Sequence, residues 1–221
     1  MADAESPSGG SLEIRPPKQR RSRETWNRVL DAGVAILEGG GRDAFTIAAI
    51  CERAHVAPPA IYARTTSKDA LLLAVYEHGI DRLRADEELF DDDKRWTGLS
   101  PEELIRAAVA EVLSLSFRHK RFLRAVVLIS ATHPEVRRRG SSNSQEWGER
   151  FAKVVLRAAS AICHPDPGAA VQVCFGAVFA SVIIRVAYGA GFAMATPVDD
   201  DAFVAEMGEM AVRYLLVDGP A

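Results

Sequence analysis

Apolar side chains recur at three- and four-residue spacing in segment after segment of this chain, the period of helices that bury one face. Trp26, Val29, Leu30, Gly33, Ile36 and Leu37 form the first such stripe and predict a helix over residues 23–38, ended by Gly39, Gly40 and Gly41. Ile47, Ile50, Cys51 and Ala54 form the second, in a helix that starts at Thr46. Ala70, Leu71, Val75, Ile80 and Leu83 predict a long helix over 68–89. An acidic loop over 91–100 leads to Ser100, Pro101 and Glu103, which stand as cap, first-turn proline and N3 carboxylate of a capping box. Beyond it the pattern predicts helices over 101–119 and 120–132, and a polar break over 137–144 containing Arg137, Arg138, Arg139 and Gly140. Helices resume over 143–161, 169–189 and 199–217, so the fold class is all-α.

Residues 46–68, TIAAICERAHVAPPAIYARTTSK, read as two short helices crossed at a tight turn. Thr46 is a natural N-cap, and Phe45 and Ile50 stand where a hydrophobic staple needs them. His55 falls at the C-terminal position that takes a left-handed conformation, and Val56 plugs the turn. Pro58 and Pro59 fit the first turn of the second helix, where a missing amide donor leaves no intrahelical bond unmade. Ile61 anchors that helix inward and leaves Pro58, Pro59, Ala60, Ala63 and Arg64 available to a partner. This is the geometry of an element that enters a DNA major groove, although the same spacing also fits an ordinary capped corner. Tyr62 and Lys68 flank it with a hydroxyl and a cation suited to phosphate oxygens.

Net charge sharpens the first of these readings only through its distribution. The 221-residue chain carries a formal charge of -3. Residues 15–68 hold ten Lys or Arg against five Asp or Glu, while the remainder holds seventeen against twenty-five. A positive N-terminal module is suited to face phosphate while an acidic remainder keeps the molecule soluble. Lys18, Arg20, Arg21 and Arg23 extend this charge as a basic arm ahead of the first helix. Cys51, Cys163 and Cys174 have no paired metal-ligand spacing and read as small buried hydrophobes in a reducing cytoplasm. The apolar run over 173–194 contains Arg185, which disfavours a membrane span and favours a buried helix.

The stretch from Thr25 to Tyr76 resembles the N-terminal DNA-binding domain of the tetracycline-repressor-like (TetR) family of bacterial transcriptional regulators. The likeness is carried by Phe45, Thr46 and Ile47, by Ile50, Ala54 and Val56, by Ile61 and Tyr62, and by Ser67 through Leu71. It implies a homodimer on palindromic double-stranded operator DNA, with a small molecule in the C-terminal domain that weakens binding. It further implies phosphate contacts from Thr46, Tyr62 and Lys68. Cys51, His55, Ala57 and the segment Arg64-Thr65-Thr66 depart from the usual pattern, and Ala57 deprives the second helix of a capping hydroxyl.

The expected organisation is a tail over 1–17, a basic arm and helix-turn-helix head over 18–68, a connecting helix over 69–90, and a helical ligand-binding and dimerisation domain over 91–221. Pro58, Pro59, Ala60 and Arg64 are the base-reading candidates. Phe117, Phe122, Trp147, Phe151, Phe175, Phe179 and Arg185 are the candidate lining of an effector pocket between bundled helices. A cation in so apolar a helix needs a carboxylate, backbone carbonyls or an anionic ligand, and Glu206 or Glu209 is the expected structural partner of Arg185. The apolar last two helices suit half of a four-helix dimer interface. The expected protein is a cytoplasmic, ligand-responsive repressor without metal or cofactor. There is no nucleophile elbow, zinc motif or dinucleotide fingerprint, so an enzyme is the weaker alternative and a non-regulatory all-α small-molecule-binding protein the broader one.

Overall fold

The computed structural model describes residues 20–217, and the expected tail over 1–17 lies outside them. Every regular element among the described residues is a helix. The chain divides into two compact units between His78 and Gly79.

The first unit contains α1 (Arg20–Ala44), α2 (Ile47–Ala54), α3 (Pro58–Tyr62) and the N-terminal half of α4 (Lys68–Glu87). Helix α1 starts three residues earlier than its apolar stripe requires, and it runs through Gly39 and Gly40 before Gly41 breaks it at φ 64°. Those two glycines lower helix propensity without forbidding the conformation, so the break waits for the glycine whose φ is positive. Trp26, Val29, Leu30 and Leu37 are buried, as are Phe45, Ile50 and Ile61 from the following segments. Gly33 serves close packing: a Cβ there would stand 2.4 Å from Cγ2 of Val75 on α4. Ser67 caps α4 by accepting the Ala70 amide at 3.1 Å. Residues 70–76 of α4 are buried without interruption, so this helix has no solvent face over two turns.

The second unit begins within α4 and contains α5 (Pro101–Arg118), α6 (Lys120–Ser130), α7 (Pro134–Val155), α8 (Pro167–Tyr188) and α9 (Asp200–Leu216). The expected acidic loop over 91–100 is largely ordered as two 3₁₀ turns, Glu88–Asp91 and Asp93–Trp96. Phe90 and Trp96 tie them down: their rings stack at 5.7 Å, and the Trp96 indole donates to the Phe90 carbonyl at 3.1 Å. The capping box of α5 forms as its sequence requires, with Ser100 N–H donating to Glu103 at 2.8 Å and Glu103 N–H to the Ser100 hydroxyl at 3.3 Å. Helix α5 is the inner element of this unit and packs on α7, α8 and α9.

The expected polar break over 137–144 is instead part of α7. His133 caps the helix through Nδ1, and Glu135 receives hydrogen bonds from Arg138 and Arg139, three and four residues on. Ion pairs at helical spacing turn the arginine run into one solvated helical face and outweigh the lone Gly140. Those arginines hold the Glu135 carboxyl down to about 2, Arg138 most strongly. Helix α8 is long and apolar enough to cross a membrane by length and composition, with mean hydropathy 2.0, yet it packs against four helices of its unit. Asp166 and Asp199 cap α8 and α9.

Candidate functional site

In the first unit, Thr46 accepts the Ala49 amide at 3.1 Å and sets the start of α2. His55 ends that helix at φ 54° and ψ 51°. Its amide donates to Glu52 and that of Val56 to Cys51, the bond pair of a Schellman closure normally built on glycine. The chain is thereby turned directly into α3, whose five residues include two prolines at the start and no side-chain cap from Ala57.

Burial sorts the side chains of α3. Ile61 is fully buried, whereas Pro58, Pro59 and Tyr62 are exposed and Ala60 is half-buried. The helix therefore presents nearly its whole length outward on one apolar anchor. Thr65 is buried and bonds back to the Ile61 carbonyl through its amide at 3.0 Å, which fixes the exit from α3. Thr46 and Lys68 are both exposed. Arg64 is half-buried and its guanidinium donates to the Ser22 hydroxyl on the first turn of α1. That tether holds the arginine over a groove of about 340 Å³ between α1 and α3. Of the expected basic arm, Arg20 and Arg23 are exposed residues of α1, so this part is helical, while Lys18 and the Arg21 side chain lie outside the described residues.

The aromatic candidates in the second unit separate into three groups. Trp147 meets Phe179 edge-on at 5.7 Å, Phe179 stacks on Phe175 at 5.5 Å, and Phe175 lies 5.5 Å from Phe151. This set is packed core: Trp147, Phe151 and Phe175 are buried, and the Trp147 indole N–H has no hydrogen-bond partner. Phe122 stands apart from it, pressed on Gly79 of α4. Phe117 pairs with Phe203 at 6.2 Å, beside the guanidinium of Arg185.

Arg185 is 9 % exposed and paired. It donates through Nε and a terminal nitrogen to Asp200 at 2.9 and 2.8 Å and to the Val198 carbonyl at 2.7 Å, and it lies 4.6 Å from the Phe203 ring centroid. The expected glutamate partners are thus corrected to Asp200. Glu209 pairs instead with Arg106 at 2.6 Å, and Glu206 is exposed. The turn between α8 and α9 returns the first residue of α9 to the last turn of α8, a closure no helical spacing announces.

Phe117 and Arg185 also line a cavity of about 270 Å³, with Lys120, Arg121 and Arg124 from the start of α6. These three cations were not singled out by periodicity, because nothing in a one-dimensional pattern separates them from a solvated helix face. A second, almost wholly apolar groove runs between α8 and α9 past Val173, Met207, Met210 and Tyr214. Burial pushes the Cys174 thiol up to about 11, which keeps it protonated and inert. Cys163 departs from the expected burial: it is exposed, with its sulfur 3.2 Å from the Leu216 carbonyl. No group of three or more metal-ligating side chains occurs among the described residues.

The described residues thus form a helix-turn-helix unit with an outward second helix, followed by a helical bundle, an all-α architecture. Residues 29–75 match the family model described as bacterial regulatory proteins, tetR family. A transcriptional regulator of the TetR/AcrR family from Thermobifida fusca YX-ER1 superposes with a TM-score of 0.61 at 17% identity, over 88% of this chain and 97% of that one. A regulatory protein in the tetR family from Rhodococcus RHA1 gives 0.60 at 17% identity over 89% and 98% of the two chains. A TetR-like transcriptional regulator from Rhodococcus sp. RHA1 gives 0.55 at 20% identity over 86% and 94%. No curated protein matches the chain in sequence. The chain has the TetR-family regulator fold, and residues 29–75 of its head match that family's model.

Proposed function

We propose that the protein is a ligand-responsive transcriptional repressor that binds a palindromic operator as a homodimer in the cytoplasm and is released by a small molecule. The observation that carries this reading is α3: a five-residue helix held by one buried anchor, Ile61, with Pro58, Pro59 and Tyr62 turned to solvent. An element so poorly buried contributes little to its own unit and is suited to a groove. Tyr62, Lys68 and Thr46 serve as phosphate contacts, and Pro58, Pro59 and Ala60 meet base edges by shape and apolar contact. Arg64, tied to Ser22, exchanges that bond for a base or phosphate on binding. The family match over 29–75 and the regulators among its structural neighbours support the same reading.

Homodimerisation is supported by the apolar groove of α8 and α9, where Val173 and Met210 are 60% and 59% exposed. Apolar side chains of that size concentrated on adjacent helices favour burial against a second copy. Helix α4 belongs to both units, and a shift of its C-terminal half on ligand binding alters the separation of the paired heads.

Binding-site selection from random DNA tests the proposal. The expected motif is an inverted repeat whose half-sites lie about 34–36 Å apart, or a multiple of that. Equal binding to selected and scrambled duplexes at matched salt would return the chain to a helical small-molecule-binding protein that does not regulate transcription.

A further inference from the structure

We propose that the cavity at the α5–α6 corner binds a small organic anion, a carboxylate or phosphate monoester carrying a short apolar body. Lys120, Arg121 and Arg124 line it from the first turns of α6, and all three are exposed. Asp200 is the one carboxylate in the lining, and it is already held by Arg185. Neither Lys120, Arg121 nor Arg124 makes an ion pair among the described residues. Several basic side chains elsewhere in this unit are answered: Arg106 by Glu209, Arg118 by Asp86, Arg138 and Arg139 by Glu135. Lys120 and Arg124 also stand four residues apart on one helix face, a spacing at which like charges repel. The cavity thus carries a surplus of three cations.

Its remaining wall is apolar, built by Phe117 and Val186. Cations on one side and an aromatic ring on the other select an amphiphilic anion over a bare inorganic ion, since arginine pairs planar oxyanions bidentately and the ring takes the hydrocarbon. The same turn of α6 holds α4. Asp86 of α4 accepts from Arg118 at 3.0 Å and lies 2.9 Å from His119, immediately before Lys120, and Phe122 rests on Gly79. An anion that draws Lys120, Arg121 and Arg124 together acts on the corner that grips the C-terminal half of α4. The binding claim stands on the cavity, and only this regulatory consequence rests on the repressor reading.

The test uses the full chain, with octyl phosphate and octanoate as probes and 1-octanol and octylamine as neutral and cationic controls, followed by titration calorimetry. Octyl phosphate is expected to bind at least tenfold tighter than octanol, and the Arg121→Gln/Arg124→Gln variant to weaken it at least tenfold. Arg137→Gln, an exposed change on α7, is expected to leave it unaltered. Lys120→Gln alone supplies the comparison if the double variant loses its helical circular dichroism. Equal binding by parent and variant, octanol as tight as octyl phosphate, or no binding of either anion at millimolar concentration overturns the proposal. A mobility shift with the selected operator, run on the same preparations, separates the two readings: operator preference without anion binding sinks only the anion site, and anion binding without operator preference sinks only the repressor. Operator release by octyl phosphate in the parent, lost in the double variant, is the expected sign of coupling; release of both alike overturns it.

Discussion

The Phe122 ring lies directly on Gly79 of α4, so close that a Cβ on the glycine would stand 2.1 Å from the ring's Cζ. The contact joins the start of α6 to the long helix at the point where the second unit begins. Because the ring is buried at 2 % exposure, it cannot swing aside without opening its surroundings. Gly79→Ala is expected to destabilise the protein by roughly 1–3 kcal/mol, the usual range for overpacking. In a double-mutant cycle with Phe122→Ala the two losses should fall short of additivity, measured by urea unfolding; full additivity would show that the contact carries no strain.

The left-handed His55 gives a second expectation. A branched side chain at φ 54° meets its own backbone, so His55→Val is expected to cost about 1–2 kcal/mol. His55→Gly should be at least as stable as the parent. Thermal midpoints of the two variants check the sign, and a valine variant as stable as the glycine one would contradict the left-handed turn.

Asp200→Asn leaves the guanidinium of Arg185 buried beside two aromatic rings without its counter-charge. The expected loss is about 2–3 kcal/mol, below the range for wholly buried pairs because the Asp200 side chain is 45% exposed. Glu206→Gln should change nothing measurable. Denaturant midpoints decide between them, and the reverse order would restore the glutamate assignment.

Glu135 predicts a pH dependence. Its carboxyl is held at about 2 in the folded chain against an ordinary value of 4.5, so between those values the unfolded chain binds more protons. The contribution of this group is therefore complete above about 4.5 and is lost as pH falls toward 2. Glu135→Gln is expected to flatten the stability profile over that window, read from urea midpoints at stepped pH, with little effect on its shape at neutral pH. An unchanged slope would remove Glu135 as the source.

For the proposed DNA contacts, Tyr62→Phe is expected to weaken operator affinity by about 1 kcal/mol, the worth of one hydrogen bond. Lys68→Ala should lower affinity and reduce the salt slope by about one. Neither should reorder the preference among duplexes, because phosphate contacts position the protein and do not read bases. Selection experiments on both variants provide the check, and a new consensus would assign base reading to the altered residue.

Much of the secondary structure was legible because its signals are local. Thr46, Ser100 with Glu103, and the turn at His55 act on amides within five residues, so the order of residues alone specifies them. Heptad-like spacing likewise marked the inward faces of the head, and Ile61 was recognisable as the single anchor of α3. Two local readings failed where competing local terms were close: the glycine run, which stays helical until φ turns positive at Gly41, and the arginine run, which Glu135 holds in α7.

What sequence order determined about this protein is therefore most of its helices, the capped ends of α2 and α5, and the likeness of residues 25–76 to a DNA-binding head. Tertiary structure decided which faces meet. Asp200 became the partner of Arg185 because a turn brings the start of α9 beside the end of α8, and Phe122 left the aromatic set because α6 lies over Gly79. Lys120, Arg121 and Arg124 acquired a shared cavity only when α5, α6 and α8 were assembled around it. Caps and periodicity act through bonds and steric contacts a few residues long, whereas pairing, cavities and charge surplus depend on distances between segments that the chain's order leaves open.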